Sequence, residues 1–152
     1  MSSFINNLIT LGLIFIMLVL APLLISYKTE DMLAKREMLS DVQTFIDKVK
    51  DTYTITETDL NKLYLDCNSH GMAVNVTVRR LIESAVFDEV TGTTSTSYFA
   101  VSDIDSLMNI NSGDLIQVTV EELAITSARR LTFALLKIDE GKFSFTLAGV
   151  VG

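Results

Sequence analysis

The chain begins with a long apolar segment. Residues 1–27 contain no Asp, Glu, Lys, Arg or His, and the run from Leu8 to Ile25 is interrupted only by Thr10, Gly12 and Pro22. A helix of about 20 apolar residues crosses the hydrocarbon core of a bilayer, which is ~30 Å thick. The pattern therefore predicts that residues 1–27 form a transmembrane segment, with membrane lipid as a partner.

Two residues within this segment indicate how the helix can bend and pack. Pro22 lacks a backbone N–H, so we expect a kink or a local loosening of the helix near the end of the span. Gly12 leaves a flat place where a second helix can approach, although membrane helices also tolerate glycine without such a contact. No Lys or Arg precedes the apolar run, and the run is longer than that of a secretory signal peptide. We therefore expect the segment to be retained as an anchor.

An amphipathic stem helix is predicted over residues 28–53, a segment that contains no Pro or Gly. Its apolar positions recur at intervals of 3, 4, 3 and 4 residues, which is the spacing of a heptad seam. The seam consists of Leu39, Val42, Ile46, Val49 and Tyr53. Two interpretations are open. The seam either covers the small domain of the same chain or packs against copies of the chain and related subunits.

Residues 54–152 predict a small globular domain in which helices and strands alternate. Its first helix is expected over Glu57–Ser69, because Thr56 is a good N-terminal cap and Gly71 a good C-terminal one. The alternating apolar residues from Met72 towards Phe87 predict the first strand.

The rest of this domain contains one predicted loop and four predicted elements. The Thr- and Ser-rich stretch Asp88–Ser97 predicts an exposed loop or hairpin tip. After it we expect a helix that begins at Ser102, a strand over Leu115–Glu121, a helix from Thr126 that Gly141 ends, and a strand from Phe143. The residues expected to face inward from the two helices are Ile104, Leu107, Met108, Ala128, Leu131, Ala134, Leu135 and Ile138.

These elements predict an α+β fold class. A long N-terminal transmembrane and amphipathic helix is followed by a small three- to four-stranded antiparallel sheet with short helices. The predicted domain organisation is a transmembrane segment over residues 1–27, a stem helix over 28–53 and a globular domain over 54–152.

The distribution of charge excludes one class of partner and leaves the membrane orientation open. The net charge is −7, and every charged residue lies after residue 27. Nucleic-acid binding needs clustered Lys and Arg, so no nucleic acid is expected as a partner. Lys28, Lys35 and Arg36 follow the span and no basic residue precedes it, which by the positive-inside rule favours a cytoplasmic domain.

Residues capable of chemistry are few and dispersed. The single Cys67 cannot form an internal disulfide, and His70 lies three residues after it, a spacing that also permits half of a metal site. Asp103, Asp105 and Asp114 suggest calcium, but their spacing does not match the twelve-residue calcium loop. We therefore predict no catalytic residues, no cofactor and no metal site, and a protein that is not an enzyme.

Three stretches of the chain, taken in order, resemble a known family. They are the stem Ile5–Asp51, the segment that runs from Thr54 through Asn68–Gly71 to the strand Val74–Arg80, and the strand region Ser112–Val120. This succession resembles the TadE/TadF-type minor pilins, which are pilin- and pseudopilin-like proteins of tight-adherence (Tad) pilus systems, in their Gram-positive form.

The resemblance implies a structural or assembly subunit of a type IV or Tad-like pilus or a related secretion machine. Its partners are then other pilin-like subunits or copies of itself, bound through the N-terminal helix, and the pilus assembly platform. The domain would be extracytoplasmic, at the cell surface, with Asp88–Ser97 as a contact surface in adhesion. Ile5 stands where processed pilins carry Glu, which favours an unprocessed accessory subunit. The alternative is a single-pass membrane protein with an extracytoplasmic sensor or binding domain.

Overall fold

The computed structural model describes residues 2–89, 92–101, 109–137 and 141–152. The described helices are α1 (Ser2–Phe15), a π-helical turn (Ile16–Leu20), α2 (Ala21–Thr52), α3 (Glu57–Ser69) and α4 (Ser127–Leu136). The strands are β1 (Val74–Asp88), β2 (Thr93–Val101), β3 (Leu115–Glu122) and β4 (Ser144–Val150). The chain forms two compact units, which we call the N-terminal unit (Met1–Lys35 with Ile125–Gly141) and the sheet unit (Arg36–Ala124 with Lys142–Gly152).

The sheet contains four strands in the order β2-β1-β3-β4, and all neighbouring strands run antiparallel. β1 is central: it pairs with β3 from Val74 to Leu81 and with β2 from Arg80 to Asp88. The long N-terminal helix, the antiparallel sheet and the short helices confirm the predicted α+β fold class.

The core of the sheet unit lies between the second half of α2 and one face of the sheet. Alternate residues of the two central strands are buried, as the period of two in the sequence predicts. The buried residues are Met38, Val42, Phe45, Ile46 and Val49 on α2, and Val74, Val76, Ile116, Val118 and Val120 on β1 and β3.

Gly149 is the place where strand β4 approaches helix α2 most closely. It pairs with Ile116 across the sheet and is therefore on the buried face. A Cβ atom at Gly149 would stand 2.5 Å from Cγ2 of Ile46 and 2.6 Å from Cε of Lys50. No such atom fits at these distances, so glycine at this position sets the separation between helix and sheet.

A buried ion pair joins β1 to the turn before β3. The Arg80 guanidinium donates to Asp114 Oδ2 through Nε at 2.8 Å and through an Nη at 2.5 Å, and both side chains are almost fully buried. Arg80 also donates to the carbonyl of Asn109 at 2.6 Å, and Asp114 Oδ2 accepts from the backbone N–H of Asn111 at 2.9 Å. Since several hydrogen bonds surround the pair, both charges are compensated inside the fold.

The structure refines three details of the predicted elements. The stretch Asp88–Ser97, expected as an exposed loop or hairpin tip, belongs to the β1–β2 hairpin, and β2 already begins at Thr93 and pairs with β1. α4 ends at Leu136, where Lys137 takes the left-handed conformation, and not at Gly141. Ala134 is exposed and does not face inward.

Other predictions are confirmed or lie outside the described residues. Helix α3 has the predicted bounds, its Thr56 cap receives the N–H of Asp59, and Gly71 has a φ of +79°. The helix expected to begin at Ser102, with Ile104, Leu107 and Met108, lies outside the described residues, as does Ile138. The side chains of Ala128, Leu131 and Leu135 are likewise outside the description.

We predict that Gly149→Ala lowers the free energy of unfolding of the sheet unit by about 1–3 kcal/mol, because the new methyl group must displace Ile46 and Lys50. Thermal unfolding followed by circular dichroism in detergent micelles measures the change. Gly152→Ala is the matched control, since a Cβ atom there meets nothing within 4 Å. Equal melting curves for the two variants would contradict the close approach.

We predict that substitutions of the adjacent residues Arg79 and Arg80 differ greatly in their effect on the free energy of unfolding. Arg80→Met leaves the buried carboxylate of Asp114 without its cation and should cost about 3–5 kcal/mol of stability. Arg79→Met removes an exposed charge on the opposite face of β1 and should change stability by less than about 0.5 kcal/mol. Denaturant titration of both variants measures the free energy of unfolding. Similar decreases for the two variants would contradict the prediction that the buried pair of Arg80 and Asp114 is more important for stability.

Candidate functional site

The most exposed apolar surface of the described chain lies on α1 and the π-helical turn. Large apolar side chains from Phe4 to Val19 are about half to three-quarters exposed. They belong to a continuous helix over Ser3–Thr52 whose most apolar 18-residue window has a mean hydropathy of 2.9 and no buried residue. By length and composition, this helix is able to cross a membrane.

Gly12 lies in an open apolar groove on this helix. The groove is lined by residues that recur along one helix face: Leu8, Leu11, Gly12, Phe15, Leu18 and Val19, with Ile14 beside them. A Cβ atom at Gly12 would meet nothing within 4 Å, so no contact within the described chain requires glycine here. The groove is therefore a place where another molecule in the membrane can approach the backbone.

The helix widens just before Pro22. The N–H of Ala21 donates to the carbonyl of Ile16, five residues earlier, and closes the π-helical turn Ile16–Leu20. A proline ring clashes with the carbonyl four residues before it and provides no donor. The local loosening predicted at Pro22 thus takes the form of a π turn in the span.

The predicted seam divides into buried and exposed residues. Val42, Ile46 and Val49 are at most 1% exposed and belong to the core of the sheet unit, as the first of the two interpretations expects. Leu39 and Tyr53 are 46% and 39% exposed. Tyr53 lies just past the end of α2 with a left-handed φ of +56°. A role in contacts between chains stays a prediction for the seam, and in the folded unit only Leu39 and Tyr53 are accessible for it.

His70 joins α3 to α2 through both of its ring nitrogens. Nδ1 lies 2.9 Å from Glu37 Oε2, and Nε2 lies 2.7 Å from Asp41 Oδ2. A carboxylate can only accept a hydrogen bond, so a ring nitrogen that carries a hydrogen donates to the carboxylate it faces. Sequence reasoning compared His70 with Cys67 and missed this pairing. The available signal was the four-residue spacing of Glu37 and Asp41, which places both carboxylates on one face of α2.

No metal site is visible in the part of the chain that the structure describes. Its His, Cys, Asp and Glu side chains form no group of three that could hold a metal ion. The nitrogens of His70 face two carboxylates, and the carboxylate of Asp114 holds Arg80. Asp103 and Asp105, the other two residues of the calcium alternative, lie outside the described residues.

The charged residue Asp59 at the start of α3 caps this helix and joins it to α2. Asp59 accepts from the backbone N–H and the hydroxyl of its own cap Thr56, and it forms an ion pair with Lys48 of α2. The hydrogen bond from Lys48 and those from Thr56 lower the pKa of the Asp59 carboxyl. Three charged residues that line the groove between α2 and α3 thus have partners within the chain: Lys48 pairs with Asp59, and Asp41 pairs with His70.

The β1–β2 hairpin carries exposed apolar side chains on both of its faces. Ile82 and Phe99 are directly opposite each other on one face, and Phe87 and Tyr98 lie on the other. All four side chains are exposed, and Phe87 is the most exposed at 61%. The prediction of an exposed contact region near Asp88–Ser97 thus coincides with part of a β-hairpin, whose aromatic residues were not singled out from sequence.

Comparison of the chain with protein-family models, with curated proteins and with solved structures found no match. The resemblance to minor pilins therefore stays a prediction, as do the partners that it implies.

We predict that the Cys67 thiol does not react in the folded protein. Burial, together with the negative charges of Asp41 and Asp66, raises the pKa of the Cys67 thiol from 9.0 to about 11. The thiolate is the reactive form, so labelling by a thiol reagent at pH 8 should be slower than in denaturant by at least about a hundredfold. The raised pKa also means that stability falls as the pH rises from 9.0 towards 11.

A cysteine at an exposed position provides the control for this measurement. Leu65→Cys in a Cys67→Ala background places the thiol on α3 at a position that is 72% exposed. This variant should react equally fast with and without denaturant. Fast labelling of Cys67 in the folded chain would contradict its burial.

Proposed function

We propose that the protein is a membrane-anchored, pilin-like structural or assembly subunit of a Tad-like pilus or a related secretion machine, and that it is not an enzyme. In this proposal the N-terminal helix holds the protein in the membrane and binds other pilin-like subunits or copies of the chain. The sheet unit is extracytoplasmic, and the hairpin is its contact surface at the cell surface.

The observation that carries this proposal is the division of one continuous helix into two kinds of surface. Residues of α1 and the π-helical turn are exposed and apolar, whereas α2 residues from Met38 to Val49 form the core of the sheet unit. Exposed apolar area costs about 25 cal/mol per Å² in water, so the first part requires lipid or other helices. A helix that serves as both membrane anchor and domain core suits a subunit whose stem packs in a helical assembly.

Burial decides which residues of the stem are available for the proposed contact with other subunits. Val42, Ile46 and Val49 already have partners in the core, so substitution of these residues tests folding and not assembly. The groove at Gly12 is open, and Leu39 and Tyr53 are exposed. We therefore assign the contact with other subunits chiefly to the membrane segment at Gly12.

The hairpin favours the second candidate function, a single-pass membrane protein with an extracytoplasmic binding domain. Phe87, Tyr98 and Phe99 are exposed aromatic residues on a unit that is otherwise rich in charge. Aromatic residues supply much of the binding energy at protein interfaces. Under this alternative the hairpin binds a partner while the chain remains monomeric in the membrane.

We predict that Gly12→Ile disrupts association of the full-length protein in the membrane. The larger side chain fits the isolated chain, since nothing lies within 4 Å of a Cβ at this position, so any effect must arise between molecules. Thr10→Ile is the matched control, because two residues rotate the position by about 200° to the other side of the helix. Crosslinking in native membranes, followed by electrophoresis, measures the association.

The outcomes separate the two candidate functions. Loss of crosslinked species in Gly12→Ile but not in Thr10→Ile supports the subunit proposal, and copurification of pilin-like proteins extends it. A wild-type protein that crosslinks to nothing and purifies as a monomer contradicts it and favours the binding domain. Orientation is measured on intact cells with an impermeant thiol reagent and the Leu65→Cys, Cys67→Ala variant, because Cys67 itself is buried. Labelling only after lysis would contradict an extracytoplasmic domain.

A further inference from the structure

Helix α4 carries one exposed stripe of basic and apolar residues. Arg130, Phe133 and Ala134 are exposed and recur at the spacing of a single helix face, and exposed Lys137 follows directly after the last helical residue. Arg129, one position before the stripe, is buried instead and is only 7% exposed. The described side chains thus separate α4 into an inward side at Arg129 and an outward side formed by the stripe.

An ion pair fixes α4 to the residues that follow the span. Nε of Arg129 lies 3.5 Å from Oδ1 of Asp31, and Lys35 lies 2.7 Å from the other oxygen of Asp31. Arg129 also donates to the carbonyl of Gly141 at 2.7 Å. All of these residues belong to the N-terminal unit, so this placement of α4 is internal to one compact unit.

The position of Asp31 along the helix places α4 near the membrane surface. Tyr27 is the last residue of the uncharged segment, and aromatic residues of this kind are common at the membrane–water boundary. Asp31 follows it by four residues, which is about 6 Å of helix. The headgroup region on one side of a bilayer is about 5–8 Å thick. Arg129 therefore lies at the level of the headgroups when the span is in the membrane.

The charge of the stripe complements that layer. Arg130 and Lys137 are basic, α4 contains no acidic residue, and the chain as a whole carries a charge of −7. Exposed Phe133 lies between the two basic positions. Basic residues beside an aromatic side chain are typical of helices that lie in the membrane interface, where phosphates attract the charges and the ring enters the acyl boundary.

We propose that the exposed stripe of α4 (Arg130, Phe133, Ala134 and Lys137) docks on the phospholipid headgroups of the membrane in which the same chain is anchored. This inference rests on the membrane anchoring in the proposed function, but not on pilus assembly. The Asp31–Arg129 ion pair holds α4 at the surface, and the stripe supplies a second, peripheral contact with lipid.

Tryptophan fluorescence in the full-length protein tests the docking, since the natural chain contains no Trp. Three single-Trp variants are reconstituted into phosphatidylcholine–phosphatidylglycerol vesicles: Phe133→Trp on α4, Phe15→Trp in the span and Leu65→Trp on exposed α3. Lipids brominated near the headgroup report contact with the interface, lipids brominated deep in the acyl chain report the span, and iodide reports contact with water.

We expect the Phe133→Trp probe to emit at shorter wavelength than the Leu65→Trp probe, to be quenched by shallow bromolipid and to be several-fold less accessible to iodide. Adding Arg130→Gln and Lys137→Gln should weaken docking by about fivefold per removed charge in anionic vesicles. The same pair of substitutions should have little effect in vesicles of phosphatidylcholine alone, which bear no net charge.

Three results would overturn the inference, and they have different meanings. Quenching of Phe133→Trp by iodide and not by lipid, with Phe15→Trp quenched by deep bromolipid, means that the anchor is present and α4 is free of the membrane. Protection of Phe133→Trp from both quenchers means that protein covers the stripe. Absence of lipid quenching for Phe15→Trp means that the anchoring itself fails, and the docking fails with it.

Discussion

The close approach of strand β4 to helix α2 at Gly149 is the constraint on which the rest of the sheet unit depends. Without a side chain at Gly149, Ile46 and Lys50 of α2 can approach the strand backbone. Ile46 lies on the same face of α2 as Met38, Val42 and Val49, and all four side chains are buried. A side chain at Gly149 would push this face of α2 away from the sheet, so the glycine allows the close packing that buries the face.

The second constraint is that one continuous helix has an apolar part, which is unfavourable in water, and a charged part, which is unfavourable in lipid. Up to Tyr27 its side chains require lipid or other helices, and from Lys28 onward charged residues require water or ionic partners. Asp31 lies at this boundary and is largely buried, but Arg129 and Lys35 compensate its charge. The boundary is thus the place where an ion pair can connect the stem to α4 without leaving a carboxylate uncompensated in a region of low dielectric constant.

Sequence periodicity was sufficient for the elements whose signal is local. The sequence predicted the apolar run, the alternating strands β1 and β3 and the capped helix α3. A period of two or 3.6 residues and an N-terminal cap such as Thr56 depend only on residues that are close in sequence. Strand β2 itself was not predicted, and only a loop or hairpin tip was expected there, because its Thr and Ser residues resemble a low-complexity linker, although Thr is also common in strands. Its strand state depends on pairing with β1, which a local pattern does not contain.

At the candidate site, the sequence pattern predicted less, because it does not identify the partners of a side chain. The heptad spacing of Leu39 to Tyr53 identified an apolar face but not the surface that covers it, and the structure assigns Val42, Ile46 and Val49 to the core of the same chain. The left-handed conformations at Tyr53 and Lys137 had no signal, since glycine is the residue expected there. The partners of His70 and Arg80 lie 29 and 34 residues away from them and required the tertiary fold.

The polar clusters point to a common role. The pair of His70 with Asp41 joins the end of α3 to α2, and the pair of Asp59 with Lys48 joins the start of α3 to α2. The pair of Arg80 with Asp114 joins β1 to the turn before β3. Each of these charged groups is directed at another element of the fold, and hydrogen bonds to partners fix it in place. A charged side chain that is already paired with another element of the fold stabilises that fold and is poorly placed to bind a substrate. Among the described residues, the surfaces that these pairs leave exposed include the apolar helix α1, the β1–β2 hairpin and the exposed stripe of α4, and their apolar and basic side chains suit contacts with lipid and with other proteins.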